Sequence, residues 1–154
     1  ASRGLGDVYK RQGVFMGGYI IVAGGETLPE GFQGVQASRA ELIDCAKCAV
    51  IVCDGAEVPR VVRAAGVMIN GDSAAVPSER VSGVQLITCG RGVKNTVSVT
   101  SDDGETLTLA LNRAVETLSG VCEPMELPVR RRGRSDFMCM AEFAAAILLD
   151  EIGQ

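Results

Sequence analysis

The chain has no histidine and no tryptophan, and its aromatics are four Phe and two Tyr. Without imidazole, neither a Ser/His/Asp nor a Cys/His catalytic set can be assembled. The commonest metal ligand is missing with it. Lysine is scarce too, at Lys10, Lys47 and Lys94 only. With so few aromatics, the core has to be built from Val, Ile, Leu, Ala and Met. No stretch reaches the roughly 20 apolar residues that span a bilayer. The longest, Phe137 to Leu149, is interrupted by Glu142. The apolar run Tyr19 to Ala23 is too short for a secretory signal. An excess of positive charge is also missing. The net charge of −4 argues against a nucleic-acid binder, because phosphate neutralisation dominates that affinity. These absences predict a cytoplasmic chain with neither a membrane nor a nucleic-acid partner, and six cysteines kept as thiols.

What is present is an ordinary globular balance, 47% hydrophobic and 22% charged over 154 residues. That is one domain with room for a real core. Ala1 to Gln12 is polar and unpatterned, and Gly4 to Gln12 resembles translated sequencing adapter. Residues 1–15 are therefore expected to be a non-native or disordered tail, and 16–154 a single domain.

Short apolar runs bounded by Gly or Asp predict buried strands at Gly18–Ala23, Ala49–Cys53, Gly66–Ile69 and Val84–Thr88. Between them, the spacing of Ala40, Ile43 and Ala46 predicts a helix over 36–47. Val58 to Ala65, with Pro59 in its first turn, predicts a short second one. Strand–helix alternation implies a mostly parallel, Rossmann-like α/β sheet with crossover helices. The pattern then turns antiparallel. Thr96–Thr100 and Glu105–Asn112 alternate across Ser101-Asp102-Asp103-Gly104, a hairpin signal. Met125–Val129 is a further extended run. This β-rich C-terminal portion is expected to form a separate edge or small sheet. Ser135 or Asp136 caps a final helix, 137–151, apolar almost all round and so buried, with Gly153 beyond its end.

Three segments, in order, resemble the central domain of the Mur ligases. Val67-Met68-Ile69-Asn70-Gly71-Asp72 is similar to the Asn-Ala-Asp-Asp strand end of that family. Leu86-Ile87-Thr88-Cys89-Gly90 resembles the next strand and its Thr-Tyr-Gly turn. Leu127-Pro128-Val129, then Gly133-Arg134-Ser135-Asp136 and an Ala-rich helix, resembles the Leu-Pro-Gly-Arg-His-Asn lead into a buried helix. Glu123-Pro124-Met125-Glu126-Leu127 is similar to the Glu-Pro-Gln-Glu-Phe string of small clostridial-type proteins of unknown function. The resemblance implies a bacterial cytoplasmic protein of cell-wall ancestry, with Asn70 and Asp72 at a ligand edge.

The departures decide the functional expectation. The family holds ATP phosphates in a Gly-Thr-x-Gly-Lys-Thr/Ser loop. Here that loop is Gly24-Gly25-Glu26-Thr27-Leu28-Pro29, with an acid, no Lys and one backbone donor removed by Pro29. The expected function is a non-catalytic domain binding a small ligand or a protein partner, with no cofactor. The alternative is a nucleotide-dependent component of peptidoglycan-precursor ligation, completed by another chain. Asn70, Asp72, Arg91 and Arg134 are the candidate ligand residues, the arginines because guanidiniums beside a helix N-terminus can hold an anion. Arg130-Arg131-Arg132 reads as a solvated connector. Cys45-Ala46-Lys47-Cys48 is one pair where structural zinc needs two, and no metal site is expected. Asp102-Asp103 and Glu123 with Glu126 read as solvent-exposed carboxylates.

Overall fold

The computed structural model describes residues 18–25, 27–29, 31–73 and 78–151. The expected tail, Glu26 and Gly153 lie outside them.

Twelve strands and one α-helix are described. In chain order they are β1 (Tyr19–Ala23), β2 (Gly34–Ala37), β3 (Leu42–Asp44), β4 (Cys48–Val52), β5 (Arg60–Arg63), β6 (Gly66–Asn70), β7 (Leu86–Cys89), β8 (Val97–Asp102), β9 (Thr106–Leu111), β10 (Val115–Glu116), β11 (Val121–Cys122), β12 (Met125–Arg130) and α1 (Asp136–Leu148). A 3-10 turn, Ser78–Val81, precedes β7. Eight strands form one sheet in the order β12-β9-β8-β7-β6-β4-β1-β2. From β2 to β8 all neighbours run parallel; β9 and β12 complete it antiparallel. The hairpin thus extends the main sheet and is not a separate one. It joins through the single β7–β8 partnership Cys89↔Val97.

The helix-rich Rossmann-like arrangement is overturned. Residues 36–47 hold β2, a bend and β3; residues 58–65 hold β5. Burial along β3 alternates, Ile43 inside and Leu42 and Asp44 outside. That is a strand period, with Ala46 exposed and off any apolar face. β5 reads the same way, Val61 buried between exposed Arg60 and Val62. Val61-Val62 is β-branched and suits a strand. The two segments expected as crossover helices hold strands, and these strands, β3 and β5, pair with each other as a parallel ribbon.

The nearly continuous apolar strands follow from coverage of both sheet faces. β4 is buried at every position. Its alternate residues enter different cores. Ala49 and Ile51 join Ile20, Val22, Met68 and Ile87 beneath α1. Cys48, Val50 and Val52 join Val67 and Ile69 beneath Ile43 and Val61 of the ribbon. The helix lies on one face and the ribbon on the other. Within α1 only Asp136, Glu142 and Ala146 escape burial. Its start is capped by Ser135, whose hydroxyl accepts from Met138 N–H at 3.2 Å. It ends at Leu148, three residues before the expected end at 151. Asp150 turns left-handed (φ 61°), and its N–H and that of Glu151 bond back to Ile147 O and Ala146 O.

Candidate functional site

The C-terminal ends of β6 and β7 meet the N-terminus of α1, and the polar residues of both gather there. Open parallel sheets present ligands at such an edge. Asn70, the last residue of β6, turns its side chain back on its own chain. Its Oδ1 accepts from Asp72 N–H at 2.9 Å. Asp72 then faces the β7–β8 loop. One carboxylate oxygen accepts from Asn95 Nδ2 at 2.9 Å and the other from Arg91 N–H at 2.8 Å. These bonds, Asn95 first, hold the carboxyl below its ordinary range. The turn has no room to spare. A Cβ on Gly90 would stand 2.5 Å from the Asp72 carboxylate, and one on Gly71 would collide with Asn95 Oδ1. Asn95, 1% exposed, also donates to Gly92 O at 2.9 Å. Asn112, directly after β9, donates to Asn95 O at 3.0 Å and Ser98 Oγ at 2.9 Å. The polar seam therefore runs from the β6 end into the sheet.

Beside it lies a closed ring of ion pairs. Arg91 donates from Nε to Asp136 at 2.8 Å and from Nη2 to Asp102 at 2.7 Å. Arg131 donates to the same two carboxylates, at 2.7 Å to Asp136 and 3.1 Å to Asp102. The guanidinium of Arg91 holds both acids below their usual range. Four elements meet in this ring: the β7–β8 loop, the end of β8, the segment after β12 and the first turn of α1. Asp136 there also faces the positive end of the helix. Arg134 stands apart from the ring. It pairs with Glu142 of α1 at 3.0 Å and donates to Thr27 O at 3.1 Å, fastening the loop after β1 to the helix.

Asn70, Asp72 and Arg91 are thus brought together, around a hollow of about 230 Å³ that Phe137 and Met140 close from the helix. Arg134 is not part of it. It lines a larger cleft, of about 430 Å³, between β12 and α1. Arg131, expected in a solvated connector, and Asp102, expected at a free hairpin tip, are ring members. Asn95 and Asn112 gave no signal in the sequence, because an Asn in a polar loop or at a strand end looks alike whether buried or not.

At the β3–β4 turn, Cys48 N–H donates to Cys45 O at 3.2 Å. Burial pushes the Cys48 thiol up to about 12 and raises that of Cys89. Both are small core residues, not activated thiols. Among the described residues no group of Cys, Asp and Glu side chains converges as a metal-ligand set. No helix among them is long and apolar enough to cross a membrane.

No protein-family model, curated protein or solved structure matches this chain.

Proposed function

We propose that this chain is a non-catalytic binding domain of Mur-ligase-like ancestry that takes a small ligand or a protein partner in the bacterial cytoplasm. The observation behind this reading is the closure of the strand-end turn on itself. A carboxylate that handles metal–phosphate chemistry must offer lone pairs to its ligand. Each oxygen of Asp72 already accepts one hydrogen bond from the β7–β8 loop, and the side-chain carbonyl of Asn70 accepts from Asp72 N–H, so both side chains are engaged in holding the turn. Arg91, the cation that borders the hollow, is held between Asp102 and Asp136. The described residues of the loop after β1 are tightly packed where a phosphate cradle would lie. Pro29 is buried in it, and Gly24 is pressed against Cys53, whose Cβ would lie 2.6 Å from a Cβ there.

The alternative, a nucleotide-dependent ligation component completed by another chain, requires phosphate recognition at this edge. Titrating ATP with Mg²⁺ and adenosine in parallel by calorimetry separates the two. The expected outcome is no ATP hydrolysis, and ATP no tighter than adenosine. Any base contact should then weaken in Asn70→Ala. Micromolar ATP affinity that disappears for adenosine would overturn the non-catalytic reading.

A further inference from the structure

The outer strands of the eight-stranded sheet are β2 and β12, and they differ in charge. β2, Gly34-Val35-Gln36-Ala37, carries none. β12 carries one acid and one arginine, Glu126 and Arg130, both exposed. The register fixes which way they point. Arg131 N–H donates to Glu105 O at 2.7 Å, directly beyond the Thr106↔Arg130 partnership. In an antiparallel ladder, bonded and non-bonded partners alternate. Met125, Leu127 and Val129 therefore direct their backbone groups to β9, and their half-buried side chains pack toward α1. Glu126, Pro128 and Arg130 turn their side chains to the opposite face. Their backbone groups point outward, Pro128 with a C=O only. Among the described residues no strand pairs with that outer side.

Glu126 and Arg130 stand two positions to either side of Pro128. About 14 Å of extended chain separates them, too far for an ion pair within the strand. Their partners on β9, Ala110 and Thr106, carry no charge. Among the described residues neither side chain has an ion pair or hydrogen bond. An antiparallel copy of the same strand supplies both partners. With a two-fold axis at Pro128, Glu126 lies opposite the second copy's Arg130, and Arg130 opposite its Glu126. Side chains so opposed have Cβ atoms about 5 Å apart and interact. Both ends of the new ladder close with N–H to C=O bonds between these residues, and the missing proline donors fall together on the axis. On the other face Leu127 lies opposite Val129, so the apolar layer continues from one α1 to the other. Proline and charge on an edge strand guard against indiscriminate pairing. Within β12, this register alone sets an acid against an arginine.

We propose that β12 pairs antiparallel with β12 of a second copy, giving a two-fold dimer with one sheet running through both chains. Sedimentation equilibrium of the full chain tests this. One short strand pair is a small interface, so the wild type should dimerise weakly, with a Kd of about 1–100 μM. Glu126→Arg and Arg130→Glu each place like charges at both ends of the ladder. Each should weaken the dimer at least about tenfold. Both sites are exposed, so the melting temperature of the dilute, monomeric protein should not change. Mixed one to one, the two variants should associate as tightly as the wild type, because two positive ends then meet two negative ones. A wild type that stays monomeric up to about 1 mM overturns the proposal. So do single variants that dimerise like the wild type, which would place the contact on another surface such as uncharged β2. A mixture no tighter than its components overturns the register. No residue of the strand-end turn takes part, so the nucleotide titrations succeed or fail independently.

Discussion

Asp72 accepts two hydrogen bonds across the β7–β8 loop, and Gly90 leaves it the space to do so. A methyl group at 90 must push the carboxylate away from Asn95, whose amide is fully buried. Gly90→Ala should therefore cost about 1–3 kcal/mol, the usual penalty for inserting volume where none exists. Asp72→Ala should cost a similar amount, about 1–3 kcal/mol, because it strips a buried amide of one of its two acceptors, leaving only Gly92 O. The two act on one contact, so the double variant should lose less than the sum. Urea unfolding of the three variants checks this. Losses below about 0.5 kcal/mol would show that the turn is held by something else. Asn70 and Asp72 stood out in the sequence because a polar pair directly follows an apolar run. Asn95 did not. Its burial depends on Asp72 arriving from 23 positions earlier, and nothing local to Lys94-Asn95-Thr96 signals that.

At the scale of elements, the strands were legible and the crossovers were not. A buried strand needs only a short apolar run, and β1, β4, β6 and β7 each have one. The segment 36–47 contains too few apolar residues for its period to be read with one answer. Ala40, Ile43 and Ala46 match a helix; Ile43 alone between Leu42 and Asp44 matches a strand. The choice is made by the sheet. β2 pairs with the open edge of β1, and Gly34 comes so close to Ile20 O that no side chain would fit. The remaining chain then crosses the sheet face extended. Ile43 is 4% exposed and Leu42 62%. Ile43→Ala should cost about 2–5 kcal/mol as a core truncation. Leu42→Ala should stay within about 0.5 kcal/mol. Thermal or urea denaturation of the pair measures the contrast, and equal losses would mean that the ribbon does not face the core as described.

For the whole molecule, the ring of Arg91, Asp102, Arg131 and Asp136 joins the antiparallel edge, the parallel sheet edge and the helix. Its members are all partly solvent-accessible, with Arg91 half exposed, so each pair contributes little alone and is screened by salt. The effect on pH dependence is clearer. Asp72, Asp102, Asp103 and Asp136 all titrate below their ordinary range when folded, through hydrogen bonds and, in the ring, guanidinium contacts. The folded state then binds fewer protons than the unfolded one around and below about pH 4. Their contribution is complete above that ordinary value and is lost as pH falls through the depressed folded values. Glu151, raised by burial, works in the opposite direction and offsets a part. Stability should therefore be flat from neutral pH to about pH 5 and decline below it. Asp136→Asn should flatten that decline. A wild-type stability profile that is level down to pH 3 in urea titrations would contradict the assignment.

The sequence by itself determined the apolar strands and their parallel sense, the hairpin at Asp102-Asp103-Gly104 and the buried final helix with its cap at Ser135 or Asp136. These are local: each depends on a run, a turn signal or a cap within a few residues. It also determined the absence of histidine chemistry. Only the tertiary structure decided that the crossovers are strands, that the hairpin continues the main sheet, and that Arg131 belongs to a ring while Arg134 fastens a loop. Those outcomes depend on pairing edges and on charges brought together from far along the chain. An arginine carries the same charge wherever it stands, and its role is set by which carboxylate the fold brings within reach.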